Sequence, residues 1–177
     1  MGFCGIENNI TVRNIGVKQK KGKAKMIEQV KEYFSQYEMS DRIVELETSS
    51  ATVELAAEAI GCEPERIAKT LAFWVKEQPI LIVAAGDCKI DNKKMKETFS
   101  VKAKMLSFDE VKEYIGHEVG GVCPFGIKEG VDVYLDQSLK RFETVFPAAG
   151  SSNSVIELSL EELEKYSKGK AWIDVSK

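Results

Sequence analysis

A chain of 177 residues supports one domain with a sizeable core and is short for two. Hydrophobic residues at 44% and charged residues at 30% describe a globular protein, with no apolar run near the ~20 residues of a membrane helix and no cationic leader, so a cytosolic (cytoplasmic) protein that does not enter the membrane is expected. A net charge of −3 argues against indiscriminate coating of nucleic acid, but residues 87–104 set six lysines against Asp87, Asp91 and Glu97. That segment suits either focused contact with a phosphate backbone or a solvated helix face.

In chain order, residues 1–23 have weak periodicity and read as a loose N-terminal extension, leaving 24–177 as the domain. Met26, Ile27, Val30, Tyr33, Phe34 and Tyr37 recur at helical steps and predict a helix over 24–36, packed in the core or laid over a pocket. Residues 43–47 read as a short strand. Thr48-Ser49-Ser50 can cap a helix over 51–60, with Gly61 as its stop. Pro64 fits the first turn of a short helix through Ile67. Lys69 then falls at a helix-to-strand junction, ahead of a strand over 71–75. Residues 76–79 form a hairpin connection into the unbroken apolar run 80–85, which suits a strand buried on both faces.

Asp91 can cap a lysine-rich helix over 92–98, and 103–106 reads as strand. Ser107 and Glu110 have capping-box spacing for a helix ending near Gly116. Strands over 132–136, 142–146 and 154–158 follow, with a helical turn at 138–141 and a small-residue loop at 147–153. Ser159 and Glu162 form a second capping box for a helix to Ser167, and 172–175 can close the chain as a strand. The whole predicts a single α/β domain whose mixed β-sheet is curled into a barrel-like core surrounded by helices. No strand leads into a GxGxxG helix start, which disfavours a dinucleotide fold.

The stretch Gly120-Gly121-Val122-Cys123-Pro124-Phe125-Gly126 is the hardest to explain as packing. Glycines admit positive φ and let a ligand meet bare backbone, whereas proline fixes φ and withholds a donor. A substrate against this loop, with Lys69 aimed at the same pocket, is the functional reading; a tight turn between strands is the plain one. Cys4, Cys62, Cys88 and Cys123 match no zinc spacing, and His117 is the one histidine, so neither a metal nor a cofactor is expected and the thiols should be reduced. Cys123 with His117 is a candidate pair for a thiol hydrolase.

Several segments together resemble a known family. Thr52 to Ala57 before Gly61, Ile67-Ala68-Lys69-Thr70-Leu71, Gly86-Asp87 with Asp91 to Lys94, Val119 to Gly126, and Ala149-Gly150 before Ile156-Glu157-Leu158 stand in the order and spacing of the YbaK, or prolyl-tRNA synthetase-associated, trans-editing domains. The similarity covers roughly residues 40–175. It implies an aminoacyl-tRNA deacylase: a hydrolase in translation quality control that clears mischarged tRNA, usually tRNA for proline, beside prolyl-tRNA synthetase as a partner. By position Lys69 matches the family's essential lysine and Gly120-x-x-x-Pro124 its GxxxP loop. The substrate would then lie against Thr70, the 120–126 loop and Ala148-Ala149-Gly150, with Lys89, Lys93 and Lys94 on the tRNA acceptor end. The resemblance also implies that the neighbouring ribose hydroxyl of the tRNA orients the attacking water. Members that clear cysteine carry Ser-Gly-Gly and an aspartate where this chain has Ala148-Ala149-Gly150 and Val155. A pocket lined by Ala148 and Ala149 would instead take a small side chain such as alanine, serine or threonine. A module that binds the tRNA end or a synthetase without cutting remains the non-enzymatic alternative.

Overall fold

The computed structural model describes residues 15–49 and 52–177. Cys4, Ser50 of the expected helix cap and Ala51 of the expected helix lie outside the described residues. Helix α1 spans Ile15–Ser35, so it starts earlier than the periodicity predicts, and residues 15–23 are helical rather than loose. Val30 and Phe34 are fully buried on its inner face.

Strand β2, Ile67–Val75, and strand β3, Gln78–Ala85, form the central hairpin, registered from Ala68 opposite Ala85 to Val75 opposite Gln78. Its turn is the dipeptide Lys76-Glu77, both residues at positive φ, as a two-residue hairpin turn demands. Around it run β4 (Lys104–Met105), β5 (Asp132–Asp136), β6 (Thr144–Pro147), β8 (Leu158–Ser159) and β9 (Ala171–Ile173). The order is β8-β6-β2-β3-β5-β9, with β4 added to β2. Pairs β2–β6, β3–β5 and β5–β9 are parallel and the others antiparallel, so the sheet is mixed. It curls into a half-barrel in a single α/β domain, as the sequence leads one to expect. β1 (Ile43–Glu45) and β7 (Ser154–Ile156) form a separate antiparallel pair.

Helix α2, Val53–Ile60, is capped by the Thr52 hydroxyl, which accepts from the Leu55 N–H at 3.2 Å, and stops at Gly61 in the left-handed region. Thr52, not the expected 48–50 segment, is therefore the cap. Helix α3, Asn92–Phe99, is capped by Asp91, which accepts from the Lys93 and Lys94 amides. Both capping boxes are present: Ser107 with Glu110 opens α4 (Phe108–Glu110), and Ser159 with Glu162 opens α5 (Leu160–Ser167). α4 continues as a π-helical turn, Val111–Ile115, ended by Gly116 at φ 90°.

The main core lies between the concave sheet face and helices α1 and α5, with Phe34, Leu81, Val83, Phe125, Leu135 and Leu163 among its buried members. Gly86, just after β3, is boxed in. A Cβ there would strike the Pro64 carbonyl oxygen and come within 2.6 Å of Val53 Cγ1. Replacing it should force the start of β2 and α2 apart. Gly86→Ala is expected to cost about 1–3 kcal/mol in urea unfolding. Gly130→Ala, at positive φ but with open space around it, should cost only the left-handed backbone penalty of about 1–2 kcal/mol and leave any activity intact.

Candidate functional site

β2 places the lysine of interest by simple alternation. Successive strand residues face opposite sides, so Lys69 and Leu71 lie on one face and Ala68, Thr70 and Ala72 on the other. The sequence put Lys69 at a junction before the strand; it is the third residue of β2. Its ammonium donates to the Gly86 carbonyl at 3.2 Å and to the Cys88 carbonyl, so the turn after β3 holds it. An ammonium has three N–H donors, and two are used. Burial pushes the Lys69 pKa down, while the charges of Asp87 and Glu54 oppose that fall and the nearby Lys89 adds to it. Asp87 does not bond to Lys69. It pairs with both terminal nitrogens of Arg141, at 3.0 and 2.5 Å, and that guanidinium holds its carboxyl below the usual range.

A cavity of about 350 Å³ runs along this part of β2. Lys69, Thr70, Val119, Gly120, Val122 and Ala148 all line it. The lysine and the glycine loop therefore share one cavity. Of the expected substrate-binding residues, Thr70, Gly120, Val122 and Ala148 face it. The rest of the wall is mostly apolar: Val53, Ala56, Leu71, Phe146 and Val155. Val155 stands where the family resemblance places a substrate contact; the other four carry no sign of a shared wall in the sequence, because their meeting depends on tertiary packing.

The other members of the two loops have different roles. Gly121 packs against the Ser151 backbone, where a Cβ would lie 2.8 Å from the Ser151 Cα. Gly150, at φ 94°, leaves no room for a Cβ beside Val30 and the Met26 carbonyl of α1. Phe125 is fully buried and its ring lies 4.8 Å from that of Phe34. Ala149 is buried in the main core, so the small-side-chain pocket is bounded by Ala148 and not by Ala149. Pro124 and Gly126 line a different groove, with Tyr33 of α1 and Tyr37 of the turn after it, so α1 is core and groove wall rather than a lid over the cavity.

Cys123 and His117 do come together: the Cys123 N–H donates to His117 Nδ1 at 3.3 Å, and Cys123 Sγ lies 3.6 Å from the same nitrogen. Both are buried, however, and neither lines the cavity. Burial pushes the Cys123 thiol up to about 12 and lowers the His117 pKa. A neutral, enclosed thiol is a poor nucleophile, so the pair shapes the loop instead. The Gly121 N–H is donated to the Glu118 carbonyl at 3.1 Å and the Cys123 N–H to His117, so neither amide is free for a ligand, while Gly120 and Val122 line the cavity.

The lysines expected on nucleic acid divide. Lys89 and Lys93 are exposed, whereas Lys94 is committed to Asp174 and to the Ser176 carbonyl, each at 2.7 Å. Trp74 and Trp172 pack against the main core, with Tyr114 edge-on to Trp74 at 4.8 Å. None of the described helices is long and apolar enough to cross a membrane.

Comparison with known proteins follows the same residues. The model of a family described as the aminoacyl-tRNA editing domain matches residues 47–166, a span that contains Lys69 and both loops. The protein YwhH of Bacillus subtilis (strain 168), described as uncharacterized, is 58% identical over 152 residues, 85% of this chain and 97% of that protein. A proline–tRNA ligase of Halalkalibacterium halodurans is 30% identical over 103 residues, which cover 58% of this chain but 18% of the ligase. A crystal structure described as that of a candidate trans-editing enzyme for prolyl tRNA synthetase superposes with a TM-score of 0.79 at 25% identity, covering 86% of this chain and 97% of that one.

The burial pattern gives a direct chemical expectation. In peptide mapping after iodoacetamide treatment at neutral pH, the half-buried Cys88 should be alkylated, Cys62 more slowly because burial pushes its thiol up, and Cys123 not until the protein is unfolded. Rapid native labelling of Cys123 would restore the thiol reading.

Proposed function

This chain belongs to the aminoacyl-tRNA editing domain family, and from that premise we propose that it is a deacylase that hydrolyses the ester of mischarged tRNA in the cytoplasm. The observation that carries this reading is the shared cavity, which Lys69 and Thr70 of β2 line together with Gly120 and Val122 of the glycine loop. An aminoacyl ester is already activated, so its hydrolysis needs positioning and charge stabilisation more than a strong nucleophile.

In this scheme the remaining donor of Lys69 binds ribose or phosphate oxygens at the tRNA terminus. The Gly120 and Val122 amides face the ester carbonyl, where negative charge develops. Water adds to the carbonyl carbon, the bond to the ribose oxygen breaks, and the proton lost by water ends on that oxygen. Free amino acid and intact tRNA are the products. A backbone donor placed on such an oxyanion is worth about 3–4 kcal/mol. The neighbouring ribose hydroxyl orients the water, so the scheme asks no acid or base of the protein.

Ala148 and Val155 in the wall support a small, non-cognate amino acid, and the match to proline–tRNA ligases supports tRNA for proline as its carrier and prolyl-tRNA synthetase as a partner. Lys89 and Lys93 would receive the acceptor-end phosphates; Lys94, held by Asp174, would not.

The test is a panel of mischarged tRNAs incubated with the native chain and with Lys69→Ala. The native chain should release the amino acid from at least one small-residue ester. Lys69→Ala should lose at least about 100-fold in kcat/KM while keeping its circular dichroism and Tm. Protection of the ester without release would point to a binding module instead.

The same lysine sets a pH limit. Its folded pKa is lowered by burial, so the ammonium is complete at low pH and is lost as pH rises through a value below the ordinary 10.5. Deacylation, corrected for spontaneous hydrolysis, should therefore fall on the alkaline side before 10.5 is reached. A rate that stays level through that range would remove the ammonium from the mechanism.

A further inference from the structure

Strand β2 lacks a neighbour for part of its length. On the side away from β3 it pairs with β6 at Ile67 and Ala68, and with β4 at Phe73 and Trp74. Between them, among the described residues, no strand is registered against residues 69–71.

The parity of the ladder decides which backbone groups face that gap. In an antiparallel pair, alternate residues turn N–H and C=O toward the partner, and those between turn them away. The Ala72 carbonyl accepts from the Leu106 N–H at 3.0 Å, on the β4 side, so Ala72 faces away from β3. Pro79, which has no N–H to give, stands opposite Trp74 and obeys the same parity. Two residues before Ala72, Thr70 must likewise aim its N–H and C=O into the gap. The cavity lies there, lined by residues 67–71, and the buried Thr70 hydroxyl has no hydrogen-bond partner.

We propose that the aminoacyl group of the substrate fills this gap as a one-residue strand. Its α-ammonium donates to the Thr70 carbonyl and its ester carbonyl accepts from the Thr70 N–H. The inference rests on the editing reading above and adds the part of the substrate that is read.

Three observations favour this occupant. An amino-acid ester carries a donor nitrogen and an acceptor carbonyl on one carbon, the arrangement by which a residue in a hydrogen-bonded ladder pair meets its partner. No carboxylate is among the residues lining the cavity, so carbonyl and hydroxyl oxygens are what an ammonium can bond to there. Finally, Gly120 and Val122 face the same space, so an ester carbonyl on the Thr70 N–H is in the right cavity to gain a second donor as it becomes an oxyanion. With no strand registered against Thr70 on this side, a ligand that bonds to both its N–H and its C=O supplies the partners a neighbouring strand would have given. Recognition of this kind is blind to the substrate side chain. Selection among amino acids is then left to the size of the apolar wall at Val53, Phe146, Ala148 and Val155.

The test uses the full chain, labelled with nitrogen-15, and two non-hydrolysable probes. One is 3′-deoxy-3′-(L-alanylamino)adenosine, and the other its des-amino counterpart, 3′-deoxy-3′-(propanoylamino)adenosine. The alanyl probe should shift the Thr70 amide resonance and slow its hydrogen exchange at least about tenfold, and the des-amino probe should bind at least about tenfold more weakly. An unchanged Thr70 amide under saturating alanyl probe, equal binding of the two probes, or no binding of the alanyl probe each overturns the proposal. Deacylation of the tRNA panel is measured on the same preparation. Turnover with a silent Thr70 amide defeats this inference alone, whereas no turnover on any ester defeats the editing reading beneath it.

Discussion

The eight-pair register of the β2–β3 hairpin is the constraint on which the site depends. Once Lys76-Glu77 fixes the turn, the parity of every β2 residue is set. Lys69 must present its side chain to one face of the sheet and Thr70 to the other, while the Thr70 backbone must point sideways. A slip of one residue would exchange these roles and bury an ammonium against the main core. The unbroken apolar run of β3, Ile80 to Ala85, makes such a slip expensive, because both of its faces are already packed.

Around this hairpin, the loops are positioned by close approach of bare backbone. Gly150 lies against Met26 and Val30 of α1, and Gly121 against Ser151 of the adjoining loop. The 148–154 segment is further stiffened by its own serines: the Ser151 hydroxyl donates to Ser154 Oγ at 2.7 Å, and the Ser151 N–H to the same oxygen at 3.1 Å. The Asn153 side-chain amide ties it to the Leu46 carbonyl at 3.1 Å. A chain of contacts thus runs from α1 through one small-residue loop to the other, and ends at the Gly120 and Val122 backbone. His117 completes it from beneath, its Nδ1 taking the Cys123 amide and thereby helping fix which loop amides are left for a ligand.

Much of this was legible in the sequence wherever the signal is local. Capping boxes at Ser107–Glu110 and Ser159–Glu162 formed as spaced, because the two reciprocal bonds need only four consecutive residues. The lysine and glycine-loop pairing was readable from its resemblance to a family, and the cavity brings Lys69 and Gly120 to one space. The misreadings are all non-local or statistical. Ala68-Lys69-Thr70 is unremarkable as strand sequence, yet β6 and β3 pair it into β2 from Ile67 onward. The hairpin connection expected over 76–79 is present but shorter, because Lys76 and Glu77 alone make the turn, both at positive φ without a glycine, and β3 already begins at Gln78. Ala149 looks equivalent to Ala148, but adjacent residues on an extended segment face opposite ways, so one meets the cavity and the other the core.

The gap in β2 could not be read from the sequence at all, since it is a property of where two other strands stop. β6 ends against Ala68 because the chain turns at Ala148 to pair with Val155, and β4 contributes only two residues before the Ser107 capping box starts a helix. Each termination has its own local cause, yet together they leave backbone donors and acceptors open beside an apolar wall. An ordinary sheet would have closed this edge, because open edges invite unwanted pairing. Here the opening spans residues 69–71, with Thr70 alone aimed into it, and is flanked by β4 and β6, which makes it short for another protein strand. Under the strand-like binding proposed above, that width, rather than any reactive side chain, is what would separate an aminoacyl ester from the peptides that compete for an exposed strand.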